Sequence, residues 1–73
     1  MPVVVHIGDN LKRLRARKYL TQRGLAERAS VSADTIAKLE TNRTEPQIIT
    51  LFKLADALGI HPDELTGFKS DED

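Results

Sequence analysis

Between Thr21 and Glu40 the chain reads TQRGLAERASVSADTIAKLE, and its apolar positions fall into two short sets at helical spacing. Leu25, Ala26 and Ala29 share one helical face, and Ile36 and Leu39 share a second. Ser30-Val31-Ser32 interrupts the period between them. Thr21 stands ahead of the first set and Ser32 ahead of the second. A hydroxyl in that position accepts a bond from a free backbone N–H two or three residues on, which starts a helix. The spacing therefore predicts one helix from Thr21 to Ala29 and another from Ser32 to Thr41, with Val31 plugging the corner. Ala33, Asp34, Thr35 and Lys38 are left on the outside of the second helix. Two helices of this length joined by so short a turn have the form of a helix-turn-helix.

The same period extends in both directions. Ile7, Leu11 and Leu14 predict a first helix over about Asp9–Lys18, with an acid at its positive end and Arg13, Arg17 and Lys18 toward its negative end. Tyr19-Leu20 joins it to the second helix, and Leu20 is expected inward. Pro46 stops the chain after the third helix. A fourth helix over about Gln47–Leu58 would turn Ile48, Leu51, Phe52, Ala55 and Leu58 inward, with Leu54 widening that face and Ile49 outside. Gly59 ends it, Ile60 is expected to be buried, and Pro62 opens a last short helix to about Thr66 with Leu65 inward. Pro2-Val3-Val4-Val5-His6-Ile7 is β-branched and reads as an extended arm. The expected organisation is an arm over 1–7, an all-α compact five-helix domain over 8–67 and an acidic tail over 68–73.

Composition narrows the class. At 73 residues this is one small domain, of a size that buries only about 60% of its unfolded surface and gains from a second subunit. There is no cysteine, hence no disulfide framework and no thiolate metal site. No apolar run approaches the roughly 20 residues that span a bilayer, and the first residues do not form a signal peptide. The net charge of zero conceals a polar distribution. Residues 8–43 carry nine Lys/Arg against four Asp/Glu, a net of +5, and residues 44–73 carry two against seven, a net of −5. Such a molecule offers phosphates a basic side and turns its acidic side away.

The pattern TQxxLAxxAxVSxxTIxxLE followed by Pro46 resembles the lambda-repressor/Cro-like helix-turn-helix regulators, the Xre family, over residues 7 to 66. The resemblance implies a lambda-repressor-like fold and sequence-specific binding of double-stranded DNA by a small transcriptional regulator, with the helix at Ser32–Thr41 in the major groove. It implies base-facing positions at Ala33, Asp34 and Lys38, with Ser32 and Thr35 near the groove wall. Gln22 matches the family's phosphate-holding residue at the opening of the second helix, and Arg23, Asn42 and Arg43 are further phosphate candidates. Arg15 and Glu40 match a structural ion pair between the first and third helices. Tyr19, Ser30 and Asn42 stand where the family commonly has glycine. Family members often dimerise, which here would use Val3, Val4 and Val5 of the arm, or Ile49, Ile60, Leu65 and Phe68.

Nothing in the chain suggests an enzyme. Ser30, Ser32 and Ser70 have no His near them in sequence, and no glycine-rich loop follows a strand. His6 and His61 lack the acid or Cys spacing of metal ligands, and His61 reads as a cap of the last helix. No cofactor, no metal, no membrane and no small-molecule ligand is expected, and the expected setting is a prokaryotic or phage-derived cytoplasmic protein. The alternative from another class is a protein-interaction module on the same scaffold, such as an antitoxin-like partner-binding protein.

Overall fold

The computed structural model describes residues 6–67, and they form five helices: α1 (Gly8–Arg17), α2 (Gln22–Ala29), α3 (Ala33–Glu40), α4 (Ile48–Leu58) and α5 (Pro62–Thr66). This is the expected all-helical, five-helix architecture. The residues Val3–Val5 and Phe68–Asp73, on which the expected arm pairing, part of the dimer surface and the acidic tail fall, lie outside the described residues.

Three of the five helices, α2, α3 and α5, begin at a side chain that accepts a bond from their first turn. Thr21 Oγ1 accepts the Gly24 N–H at 2.9 Å and Ser32 Oγ accepts the Thr35 N–H at 3.0 Å. His61 Nδ1 accepts the Asp63 N–H at 3.4 Å ahead of the proline that opens α5. α1 starts one residue before the expected Asp9, at Gly8. A Cβ on Gly24 would come within 3.2 Å of Thr21 Oγ1, so this mid-helix glycine makes room for the helix's own cap.

The first four helices also end alike. A residue in the left-handed region follows each, at Tyr19 (φ 57), Ser30 (φ 59), Asn42 (φ 58) and Gly59 (φ 69). The next N–H then reaches back five residues: Leu20 to Arg15 O, Val31 to Ala26 O, Arg43 to Lys38 O and Ile60 to Ala55 O, all between 2.9 and 3.2 Å. This is the Schellman arrangement, which satisfies carbonyls that the helix leaves unpaired. Three of its four left-handed residues here are not glycine, at a cost of roughly 1–2 kcal/mol each that Asn reduces.

The core is one cluster. Ile7, Leu11, Leu25, Ile36, Leu39, Leu54, Leu58 and Leu65 are fully buried, with Leu20, Val31, Leu51 and Ile60 packed half-buried against them. α2 lies against α3 and α4, α1 against α3 and α5, and α4 against α5.

The fourth helix departs from its expected inner face. Leu54, Ala55 and Leu58 are buried, but Ile48 is 70% exposed and Phe52 55% exposed. At 100° per residue, Phe52 lies about 110° round the helix from the centre of the 54/55/58 stripe. Ile48 is nearer that stripe, but it sits in the first turn, where the five-residue α5 does not cover it. Leu65 is at 0% exposure, so it belongs to the core and has no surface for a second copy, unlike Ile49 at 60%.

Candidate nucleic-acid interface

The inward end of α3 is fixed by polar contacts, starting from Glu40. Its carboxylate is buried yet receives Arg15 Nε at 2.6 Å on Oε2 and Arg15 Nη2 at 3.0 Å on Oε1, a two-pronged pair from α1. Gln22 Nε2, from the first turn of α2, donates to the same Oε1 at 3.0 Å. The remaining Arg15 nitrogen, Nη1, donates to the Leu20 carbonyl at 2.8 Å and so ties in the α1–α2 corner. Burial pushes the Glu40 carboxyl up, but the bonds from Arg15 and Gln22 and the charges of Arg15 and Lys12 outweigh it and hold it below its ordinary value. The same bond to Glu40 raises Arg15, against a smaller desolvation effect. The expected pair is present, and it joins three helices where the resemblance implied two.

A second joint lies beside it. Asn42 Oδ1 accepts the Gly8 N–H at 3.1 Å. A Cβ at Gly8 would stand 2.6 Å from the Glu40 carbonyl oxygen and 2.7 Å from Asn42 Oδ1, so only glycine allows α1 to begin here. The family resemblance implies only a phosphate contact for Asn42, and the helical period assigns Gly8 no contact at all. The signal available was weak: one glycine ahead of an acid, with nothing to indicate that a chain 32 residues away would press against it.

The outward side of α3 is different. Ser32, Ala33, Asp34 and Lys38 are exposed and Thr35 is half-buried, while Ile36, Leu39 and Glu40 face inward. Lys38 Nζ lies 3.1 Å from Asp34 Oδ2, one turn away. That pair is open to water and worth little as stability, but it keeps the ammonium against the helix surface. Ser32 Oγ is also 2.8 Å from Thr35 Oγ1, so both hydroxyls are engaged at the helix start. A polar cleft of about 290 Å³ flanks this face, lined by Lys38, Thr35 and the Thr44–Gln47 loop. Arg23 and Arg43 are exposed, Gln22 is half-buried with its amide nitrogen on Glu40, and Asn42 is exposed although its Oδ1 is taken by Gly8.

The helix-turn-helix (HTH_3) family model matches residues 11–65 of this chain. The chain belongs to that family of lambda-repressor-like (Xre) regulators. It is a DNA-binding helix-turn-helix transcriptional regulator, in a family that is not enzymatic. Among curated relatives it is 42% identical over 59 residues to an uncharacterised HTH-type transcriptional regulator, y4dJ, of Sinorhizobium fredii, covering 81% of this chain and 77% of that protein. It is 38% identical over 61 residues to the immunity repressor protein of Bacillus phage phi105, covering 84% of this chain and 42% of that protein. Among solved structures, the restriction-modification controller protein C.AhdI of Aeromonas hydrophila superposes with a TM-score of 0.80 at 33% identity, over 84% of this chain and 92% of that one. The P22 c2 repressor in complex with a synthetic operator superposes at 0.77 and 31% identity, over 89% and 96%. No helix among the described residues of this regulator is long and apolar enough to cross a membrane, and among them no group of His, Cys, Asp or Glu could hold a metal ion.

Proposed function

We propose that this regulator reads DNA by laying α3 in the major groove, with Ala33, Asp34 and Lys38 toward base edges and Ser32 and Thr35 along the groove wall. The observation that carries the reading is the contrast across α3: an exposed face holding a lysine and a carboxylate, backed by a buried ion pair. Lys38 can donate to guanine O6 and N7, Asp34 can accept from cytosine N4, and the Ala33 methyl can touch a thymine methyl. With Lys38 free of DNA, Asp34 holds it; on a guanine the two would separate and each meet a base. Gln22 and Arg23 at the start of α2, and Arg43 after α3, would hold phosphates. Asn42 would contribute its amide nitrogen, since its oxygen is committed to Gly8.

One such unit makes few contacts. Two copies on one face of the duplex, about 34–36 Å apart, would bind a palindromic operator as a homodimer, acting as a repressor where the DNA is, in the cytoplasm of a prokaryotic host. Ile49, in the first turn of α4, is the exposed member of the surface expected for that dimer, and Ile60, past the other end of α4, is half-buried. A second reading, a module that grips another protein, draws support from the exposed Ile48, Ile49 and Phe52 on α4. Single exposed apolar residues are ordinary, whereas three together on one short helix mark an interaction surface.

The test uses two substitutions against two duplexes. Lys38→Ala should cost ~1–3 kcal/mol on a preferred site and little on random duplex, while Arg43→Ala should weaken both and lower the salt slope by about one unit. Equal losses for both variants on both duplexes would reject the division of labour. No retention of the wild type on duplex at low salt would favour the protein-binding reading.

A further inference from the structure

Tyr19 is the most exposed large apolar residue among those described, at 95%, and its hydroxyl has no partner among the described residues. Its backbone lies in the left-handed region at φ 57. The turn itself explains the backbone, because Leu20 N–H must reach Arg15 O to close α1. It does not explain the ring. Glycine would adopt this conformation without strain, and a side chain at 95% exposure returns no packing energy to the fold. A residue kept in a costly conformation with no internal contact points outward for its use.

What lies around it indicates that use. Exposed Arg17 and Lys18 precede it, and exposed Arg23 follows in the first turn of α2. The backbone N–H groups of Gln22 and Arg23 have no acceptor among the described residues and sit at the positive end of that helix. The chain geometry keeps the Tyr19 Cα within about 11 Å of the Gln22 Cα. Tyr19 thus stands in the short link between two exposed cations and a helix start with open N–H groups, and its free hydroxyl is one more donor available there. Protein–DNA interfaces use tyrosine hydroxyls on phosphate oxygens in this way.

We propose that Tyr19 is a DNA-backbone contact of this chain: its ring lies along the sugar-phosphate strand held at the start of α2, and its hydroxyl donates to a phosphate oxygen. This rests on the DNA reading given above. It assigns a positioning contact with no base preference, and it accounts for a tyrosine where the turn alone would favour glycine.

The experiment compares wild type, Tyr19→Gly and Tyr19→Phe for thermal stability and for affinity toward a random-sequence duplex across a salt series, with folding checked by circular dichroism at the binding temperature. The glycine variant should melt at a temperature equal to or higher than wild type yet bind about tenfold more weakly, the scale of a lost bond to a charged group. The phenylalanine variant, which keeps the backbone unchanged, should lose about threefold or more through the hydroxyl alone. Because the phenol is uncharged, neither should change the slope of log affinity against log salt, unlike Arg43→Ala. Both variants binding as wild type does would overturn the contact while leaving the DNA reading intact. A wild type that does not bind duplex at low salt would overturn both.

Discussion

The two ends of α3 are held in opposite ways. At its C-terminal end Glu40 is buried under bonds from Arg15 and Gln22, and Gly8 presses on the adjoining carbonyl. At its N-terminal end Ser32 caps the helix with its own hydroxyl, and along the outer face that runs from there Asp34 and, one turn on, Lys38 reach only each other. A reading helix needs both conditions. Its direction must be fixed, or base contacts cannot be placed to a fraction of an ångström; its face must be free, or nothing can reach it. Here direction comes from polar contacts with α1 and α2 at one end, and freedom from the lack of any covering element at the other. The polar joint also gives specificity of geometry that an apolar contact would not, since a two-pronged guanidinium accepts one orientation of the carboxylate.

The sharpest way to break this contrast is Arg15→Ala. It leaves a buried carboxylate with only Gln22 to hold it, and should cost about 3 kcal/mol, a large share of the 5–15 kcal/mol that small domains have. The pH response gives the sign. In the wild type Glu40 ionises below its ordinary value of 4.5, so its stabilisation is complete above that pH and is lost as pH falls through the depressed folded value. In the variant, burial without the arginine should push the carboxyl up, so stability should instead fall as pH rises past about 4.5. Melting curves at pH 4 and 7 decide it: the gap between the two proteins should be wider at pH 7. A gap independent of pH would show that the pair does not govern this joint.

Gly8→Ala attacks the same end from the backbone side. The added methyl meets a carbonyl at 2.6 Å, which cannot rotate away, so α1 or the end of α3 must shift. A loss of about 2 kcal/mol in urea denaturation is expected. A neutral outcome would mean the close approach is softer than described. The free end should respond least: Ser32→Ala removes a cap and should cost about 1 kcal/mol, because a frayed first turn leaves the core untouched. If Ser32→Ala destabilised the protein more than Arg15→Ala, the assignment of fixed and free ends would be reversed.

Much of this was legible in the sequence, for identifiable reasons. The helices of the central pair follow from two hydroxyl caps and five apolar positions, and the structure moves their ends by one residue at most. Arg15 and Glu40 were paired through the family pattern; the residues alone give two charges 25 apart. The fourth helix was misjudged because a run of IITLFKLADAL is apolar on more than one side. Periodicity places Leu54, Ala55 and Leu58 inward, where they are buried, but it cannot tell whether that face extends round to Ile48 and Phe52 until the partner helices are in place. Gly8 was illegible for a related reason: its requirement comes from Glu40 and Asn42, which only the fold brings near. Tyr19, Ser30 and Asn42 show the converse. Each accepts the left-handed turn that glycine would take more easily, because three backbone N–H groups need their carbonyls.

The central claim is that α3 is a fixed rod with a free, sequence-reading face. Selection of bound sites from a randomised duplex pool, run in parallel on the wild type and Lys38→Ala, tests it most directly. The account predicts an enriched palindrome for the wild type, with half-sites one helical turn apart and a guanine preference that disappears, at one symmetric position, in the variant. Identical enriched sites for both proteins, or no enrichment from either, would contradict it.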